Sequence, residues 1–347
     1  DTINIGGYME ATNYGRNEIS LSGSGNSVRI EKGMIATGES SQNVIEIRDD
    51  TGESSEGSNS ITIGGGISSG DYGFTYIAME TGAENTLTID GDFTEDGAVT
   101  MRGTEKNTFN VTGDMLMGYS TSSSGFWGKE FSMDVGGKYG ITDGGWMDLQ
   151  ASSTEKASLN LHEGMFSRLG YSSVTITANE AEGTVGDISA VEGGFSGLHL
   201  EGRDENSRIH LDIRGSVYAN GQGSFSEARV SGEDVSLIIG GSVESSDGGY
   251  NIINAHGSTE SSLFIGGDVI VTDGGRNEIT GDGEITIEGK LLVQGDGDDD
   301  PYRNMNNLDL DAVLFLKGGM EASSENGLNS ITASGDDNIL YLSGEYS

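Results

Sequence analysis

A right-handed parallel β-helix, all-β and built from about thirteen coils, is the fold this sequence predicts. Three observations predict it. A short motif recurs, apolar–any–apolar and then a glycine within one or two residues. It returns about every 26 residues along the chain. No run of helix formers with 3.6-residue apolar spacing competes with it.

The motif copies begin with Ile3-Asn4-Ile5, Val28-Arg29-Ile30, Ile61-Thr62-Ile63 and Leu87-Thr88-Ile89. They continue with Phe109-Asn110-Val111, Met133-Asp134-Val135 and Leu159-Asn160-Leu161, blur near Val185–Ile188, and resume at Leu211-Asp212-Ile213 and Leu237-Ile238-Ile239. Leu263-Phe264-Ile265, Ile285-Thr286-Ile287, Leu314-Phe315-Leu316 and Leu340-Tyr341-Leu342 complete the series. From Ile5 to Leu342 the series covers 337 residues in thirteen steps, and single steps run from 22 to 33 residues. Period-2 alternation marks a short strand with one buried face. The glycines behind it supply turns that a Cβ would obstruct. Such a unit cannot bury its face alone, so copies must stack. A propeller blade would need about 40 residues. Each repeat has room for further strands, at Met9–Ala11, Asn17–Leu21, Val269–Val271, Asn277–Thr280 and Asn329–Thr332. The expected organisation is one solenoid over residues 1–347, with loop insertions near 48–59, 120–130 and 295–307.

Composition narrows the function classes. The chain has 347 residues, 58 of them glycine, one proline (Pro301) and no cysteine. Its formal charge is −38 and its sequence pI about 4.1. Low hydrophobicity with high charge is the signature of disorder, but the patterned apolar residues and the scarcity of proline oppose it. Without cysteine, a disulfide-stapled fold and a thiolate metal site are excluded. A protein that crosses an outer membrane unfolded would share this property. Phosphate binding needs clustered Lys and Arg, so no nucleic acid is expected as a partner. No apolar run approaches a membrane span, so no membrane insertion of this segment is expected. The lack of a leader at Asp1 reads as an excised piece of a larger chain.

These features resemble the passenger regions of bacterial autotransporter adhesins. The resemblance rests on the glycine-terminated strands, on the asparagines ahead of them (Asn26, Asn59, Asn85, Asn107, Asn338) and on a second set following glycine (Asn17, Asn251, Asn277, Asn329). It covers essentially the whole chain. It implies a secreted or cell-surface protein, exterior to a Gram-negative outer membrane, acting in adhesion, self-association or display.

Stacked coils place equivalent asparagines ~4.8 Å apart, where their amides can bond along the rod; both sets are read as structural ladders. The middle residue of each motif should face outward. It is polar in the early copies, whereas Ile238, Phe264, Phe315 and Tyr341 form an apolar stripe in the last third, with Thr286 between. Such patches mark contact surfaces, so these four residues are candidates for binding a host or bacterial surface ligand, or a second copy. The competing reading has a loop at 297–307 folding over them.

Asp92 and Asp114 follow the glycine turn on adjacent coils, and Asp268 repeats the position. They are candidates for Ca²⁺ or an acid/base pair, against the commoner role of turn aspartates in capping backbone N–H groups. Asp296, Asp298 and Asp300 alternate as in a calcium loop. However, Pro301 stands where an EF-hand needs glycine and Asn307 where it needs Glu; a solvated insertion is the alternative. Ca²⁺ is the only cofactor these residues suggest. Phe126, Trp127 and Trp146 are candidates for stacking a sugar, Trp127 foremost, or for packing a loop onto the rod.

Catalytic motifs are weak. Gly66-Ile67-Ser68-Ser69-Gly70 matches a nucleophile-elbow pattern, which has meaning only between a strand and a helix. His162, His199, His210 and His256 show no metalloprotease spacing. A non-enzymatic adhesin or self-associating fibre is therefore the leading expectation. A β-helical polysaccharide lyase or glycosidase and an inert display stalk are the alternatives.

Overall fold

A computed structural model describes residues 1–49, 56–70, 72–118, 121–295, 304–324, 326–334 and 338–346. It is an all-β parallel solenoid, 73% strand and without helix. Every strand pairing within it is parallel. Crossovers between parallel strands of one sheet are right-handed in nearly all proteins, the winding expected from the sequence.

Three faces are built in turn by each coil. The first coil shows the order: Thr2–Ile5 on the motif face, Tyr8–Thr12 on the second and Arg16–Ser22 on the third. Farther along, single strands bend around corners and serve several faces, the longest being Trp146–Arg168. The supplementary strands expected near Met9, Asn17, Val269, Asn277 and Asn329 all form. On the motif face, thirteen successive registers join the middle residues into one column. It runs Asn4, Arg29, Thr62, Thr88, Asn110, Asp134, Asn160, Thr184, Asp212, Ile238, Phe264, Thr286, Phe315, Tyr341.

The blurred copy resolves as Gly183-Thr184-Val185. Gly183 takes the inward place between Leu159 and Leu211, and a Cβ there would lie 2.8 Å from Leu211 Cδ1. Neighbouring leucines fill the volume that an apolar side chain fills elsewhere, so hydrophobic pattern alone could not find this copy. One of the expected insertions is also revised. Residues 121–130 belong to the strand Thr121–Val135, paired along most of its length with the next coil, so they do not protrude. The strands Gln42–Arg48 and Ser58–Gly64 bracket the first insertion, and Met305–Leu316 begins two residues before the third was expected to end. Residues 50–55 and 296–303 lie outside the described ones.

The core is one continuous cluster along the axis, from Met9 to Leu316. Two asparagine ladders run beside it. Asn59 Nδ2 donates to Asn85 Oδ1 and Asn85 Nδ2 to Asn107 Oδ1, both at 3.2 Å. The ladder stops where Phe131 takes the next register place, and Asn107 donates instead to the Trp127 carbonyl at 2.7 Å. The second ladder joins Asn17 to Asn43, then reappears from Asn251 through Asn277 and Asn306 to Asn329 at 2.8–2.9 Å. Serines and a threonine hold much of the column between. Asn43 and Asn306 are members that the sequence pattern missed, because neither directly follows a glycine turn. Each fully buried amide also donates to backbone carbonyls at a corner, as Asn277 does to Ile270 at 2.8 Å.

Because an unpaired buried acceptor costs its full desolvation, Asn277→Ala should destabilise the protein by about 2–3 kcal/mol. Asn17→Ala, in the half-exposed first coil, should cost well under half of that. Urea unfolding of both variants checks the contrast, and equal losses would refute the ladder account.

Candidate functional surfaces

The outward column on the motif face turns apolar where expected. Ile238, Phe264 and Phe315 are half-buried and Tyr341 is 53% exposed. The Phe315 and Tyr341 rings stack at 4.7 Å and 2°. The 297–307 segment that would cover this stripe lies mostly outside the described residues.

A second aromatic column stands at the start of the third face. In consecutive coils Trp146, Tyr171, Phe195, Phe225 and Tyr250 share one register place. Tyr171 stacks on Phe195 at 4.4 Å and 4°, and Phe195 on Phe225 at 5.1 Å and 9°. Trp146 and Tyr250 close the ends edge-on, and the Arg276 guanidinium lies over Tyr250, 5.2 Å from its centroid. Sequence reading singled out Trp146 alone. The signal was there: four of these five aromatics directly precede a polar residue of the second ladder's column (Trp146 precedes Met147), and they follow Gly145, Gly170, Gly194, Ser224 or Gly249. The faces of Tyr171, Phe195 and Phe225 are spent on one another and brace the shaft, whereas Trp146 at the end of the column stays 49% exposed.

Beside it lies an ion-pair cluster. Glu227, only 5% exposed, sits in register over Gly197. Phe195 folds over Gly197 so closely that a Cβ would come within 2.7 Å of its ring. His199 Nε2 lies 2.8 Å from the Glu227 carboxylate, and Arg229 pairs with its other oxygen. On the following coils Tyr250 donates to Glu278, which Arg276 also contacts at 3.2 Å. Burial alone would raise the Glu227 carboxyl. The hydrogen bond from His199 and the positive charges of His199 and Arg229 outweigh it and hold the group below the usual carboxylate range. A carboxyl held ionised in this way is no proton donor near neutrality; its geometry fastens one coil to the next.

The turn aspartates form a ladder of their own. Asp92 Oδ1 accepts the Asp114 N–H at 2.9 Å, and Asp114 Oδ1 accepts the Lys138 N–H at 2.8 Å. Asp187 and Asp268 repeat the bond to Ser216 and Lys290. Each donor follows a glycine, Gly113, Gly137, Gly215 or Gly289, and a Cβ there would lie 1.9–2.3 Å from the same oxygen. Glycine is thus required by the approach of the carboxylate. Asp92 and Asp114 serve this capping role, and no group of three or more His, Cys, Asp or Glu able to hold a metal assembles among the described residues. Asp296, Asp298 and Asp300 lie outside the described residues. Ser68, the serine of the elbow-like pattern, is exposed in the middle of the strand Ile67–Gly70, so it stands on a strand rather than at a strand-to-helix turn, and its buried neighbour Ser69 bonds Thr75 at 2.9 Å.

Of the tryptophan-region candidates, Phe126 is core, packed between Phe109 (5.7 Å) and Phe131 (4.8 Å). Its neighbour Trp127 points outward, 39% exposed, with the Arg102 guanidinium 4.4 Å from its ring centroid. It lies in the wall of an open cleft of about 630 Å³ at the corner where the third face ends.

The depressed Glu227 carboxyl gives a pH test with a definite sign. Its stabilising contribution is present above the unfolded value of about 4.3 and is lost as pH falls through the lower folded value. Glu227→Gln should therefore lower stability at pH 7, and the gap to the parent protein should narrow on acidification to about pH 3. Chemical denaturation of both proteins at the two pH values checks this; a gap independent of pH would contradict it. Compared with protein-family models, curated proteins and solved structures, the chain matches none.

Proposed function

We propose that this chain is a non-enzymatic surface protein that works through the outer faces of its solenoid, as an adhesin or a self-associating fibre. One observation carries the reading. The outward column of the motif face, polar over its first nine members, becomes apolar at Ile238, Phe264, Phe315 and Tyr341 without a break in register. A stiff shaft presents this stripe in a fixed line, the form suited to a surface ligand or a second copy. The acidic, cysteine-free composition and the resemblance to autotransporter passengers support display outside a Gram-negative outer membrane.

Charge sets the conditions for association. At −38, side-by-side copies repel, and ions shorten the range of that repulsion to about 8 Å at physiological strength. Sedimentation velocity should show association that rises with NaCl and more steeply with CaCl₂. Phe264→Ser with Phe315→Ser should weaken it at least tenfold while the far-ultraviolet β spectrum is kept. Unchanged association in that variant would dismiss the stripe as the contact. Incubation with a panel of glycans should release no reducing sugar; release would favour the polysaccharide-cleaving reading.

A further inference from the structure

The cleft at Trp127 combines three features found together in one place. The first is positive charge. Its walls include Arg102, Lys129 and Arg203, with Asp49 and Glu80 as carboxylates, three cations to two acids. The chain as a whole has 18 to 56. About half of the described basic side chains are tied to a neighbouring acid, as Lys129 is to Glu105 at 2.7 Å and Arg48 to Glu80 at 3.4 Å. Arg102 and Arg203 are not. Arg102 rests against an indole, and Arg203 donates to the Ser153 carbonyl at 3.3 Å. Both keep guanidinium N–H groups for a carboxylate, whose two oxygens match that fork.

The second feature is a held aromatic surface. Trp127 lies over Gly125, where a Cβ would sit 2.2 Å from the indole Cη2, so glycine alone allows the ring to lie there. Its backbone carbonyl is pinned by Asn107 at 2.7 Å and by the Gly103 N–H at 3.1 Å. The buried Phe109, Phe126 and Phe131 lie beneath the same strand. The third feature is a hydroxyl rim from Ser152 and Thr154.

From this geometry we infer that the Trp127 cleft binds a short saccharide bearing a carboxylate, its C–H face on the indole and its acid on Arg102 and Arg203. Indole, hydroxyls and guanidinium together match a ring with C–H, O–H and carboxylate groups. A bare anion would use only the guanidinium. Neutral sugars would leave the remaining guanidinium N–H groups of both arginines desolvated and unsatisfied. A long anionic polymer is disfavoured by the acidic shaft on either side, whereas a mono- or disaccharide end stays within the cleft, whose volume falls in the range of small-ligand sites. The proposal rests on the reading of the outer surface as a binding surface, but not on the motif-face stripe.

The test uses the full chain with Trp146→Phe, leaving Trp127 as the sole indole. Digalacturonate, maltose and inorganic phosphate are titrated separately at 0.15 M NaCl while Trp127 emission is followed. The expected result is a saturable change with digalacturonate only, weakened about tenfold or more by Arg102→Gln or Arg203→Gln. No saturation with digalacturonate overturns the proposal. An equal response to maltose refutes the role of charge, and a response to phosphate refutes the saccharide. If neither arginine variant alters the titration, the assignment of the carboxylate fails. Phe264→Ser with Phe315→Ser should leave this titration unchanged and Arg102→Gln should leave sedimentation unchanged, so failure of one reading is distinguishable from failure of the other.

Discussion

Parallel stacking of one coil on the next is the constraint on which everything else in this molecule depends. Backbone hydrogen bonds hold consecutive strands about 4.8 Å apart, and every side chain then has a register partner above and below. A residue is selected for its fit to a column more than for its fit to a neighbour in sequence. Inward columns become continuous runs of Ile, Val, Leu and Met. Corner columns become amide ladders, because an asparagine can donate to one neighbour and accept from the other while its second N–H holds a turn carbonyl. Where a column changes character, as at Asn107 followed by Phe131, the last amide must find another acceptor, and it finds the Trp127 carbonyl.

The same constraint explains how so acidic a chain keeps a compact shaft. Carboxylates are costly to bury unpaired, so nearly all populate outward columns, where bulk water and salt screen them, and the buried Glu227 is held by His199 and Arg229. Many face a cation on the adjacent coil, as Glu182 faces Lys156 and Glu192 faces Arg168. Exposed pairs of this kind stabilise by only about 0–1 kcal/mol each. Their effect is to prevent like charges from stacking directly. The turn aspartates go further and convert a potential repulsion into a backbone cap. Each carboxylate accepts an amide of the next coil through a gap left by a glycine.

The three faces consequently differ in use. The motif face is smooth and carries a column that turns apolar toward the last coils. The third face carries rings and ion pairs whose partners are mostly one another, which stiffens the shaft. Around Arg102, Trp127 and Arg203 that pairing lapses, and the proposed saccharide site lies there. The cleft there is shaped by the corner between faces and stands over the most aromatic part of the core.

Much of this was legible in the sequence. The fold class, the repeat, the inward positions and the motif-face column follow from period-2 alternation and glycine turns. Both are local properties, fixed by strand pleating and backbone sterics. The roles of Asn59, Asn85, Asn251 and Asn277 were legible for the same reason, since identical spacing within each coil implies identical height along it. Tertiary structure alone decided what meets between coils. His199 with Glu227, Trp127 with Arg102, and the five-ring column depend on how far each coil runs before its next strand begins. Coil lengths vary from 22 to 33 residues, so outward residues far from the motif could not be aligned by counting. Phe126 and Trp127, adjacent in sequence, show the division. Alternation says that one is inside and the other out, but only the packed coil tells which.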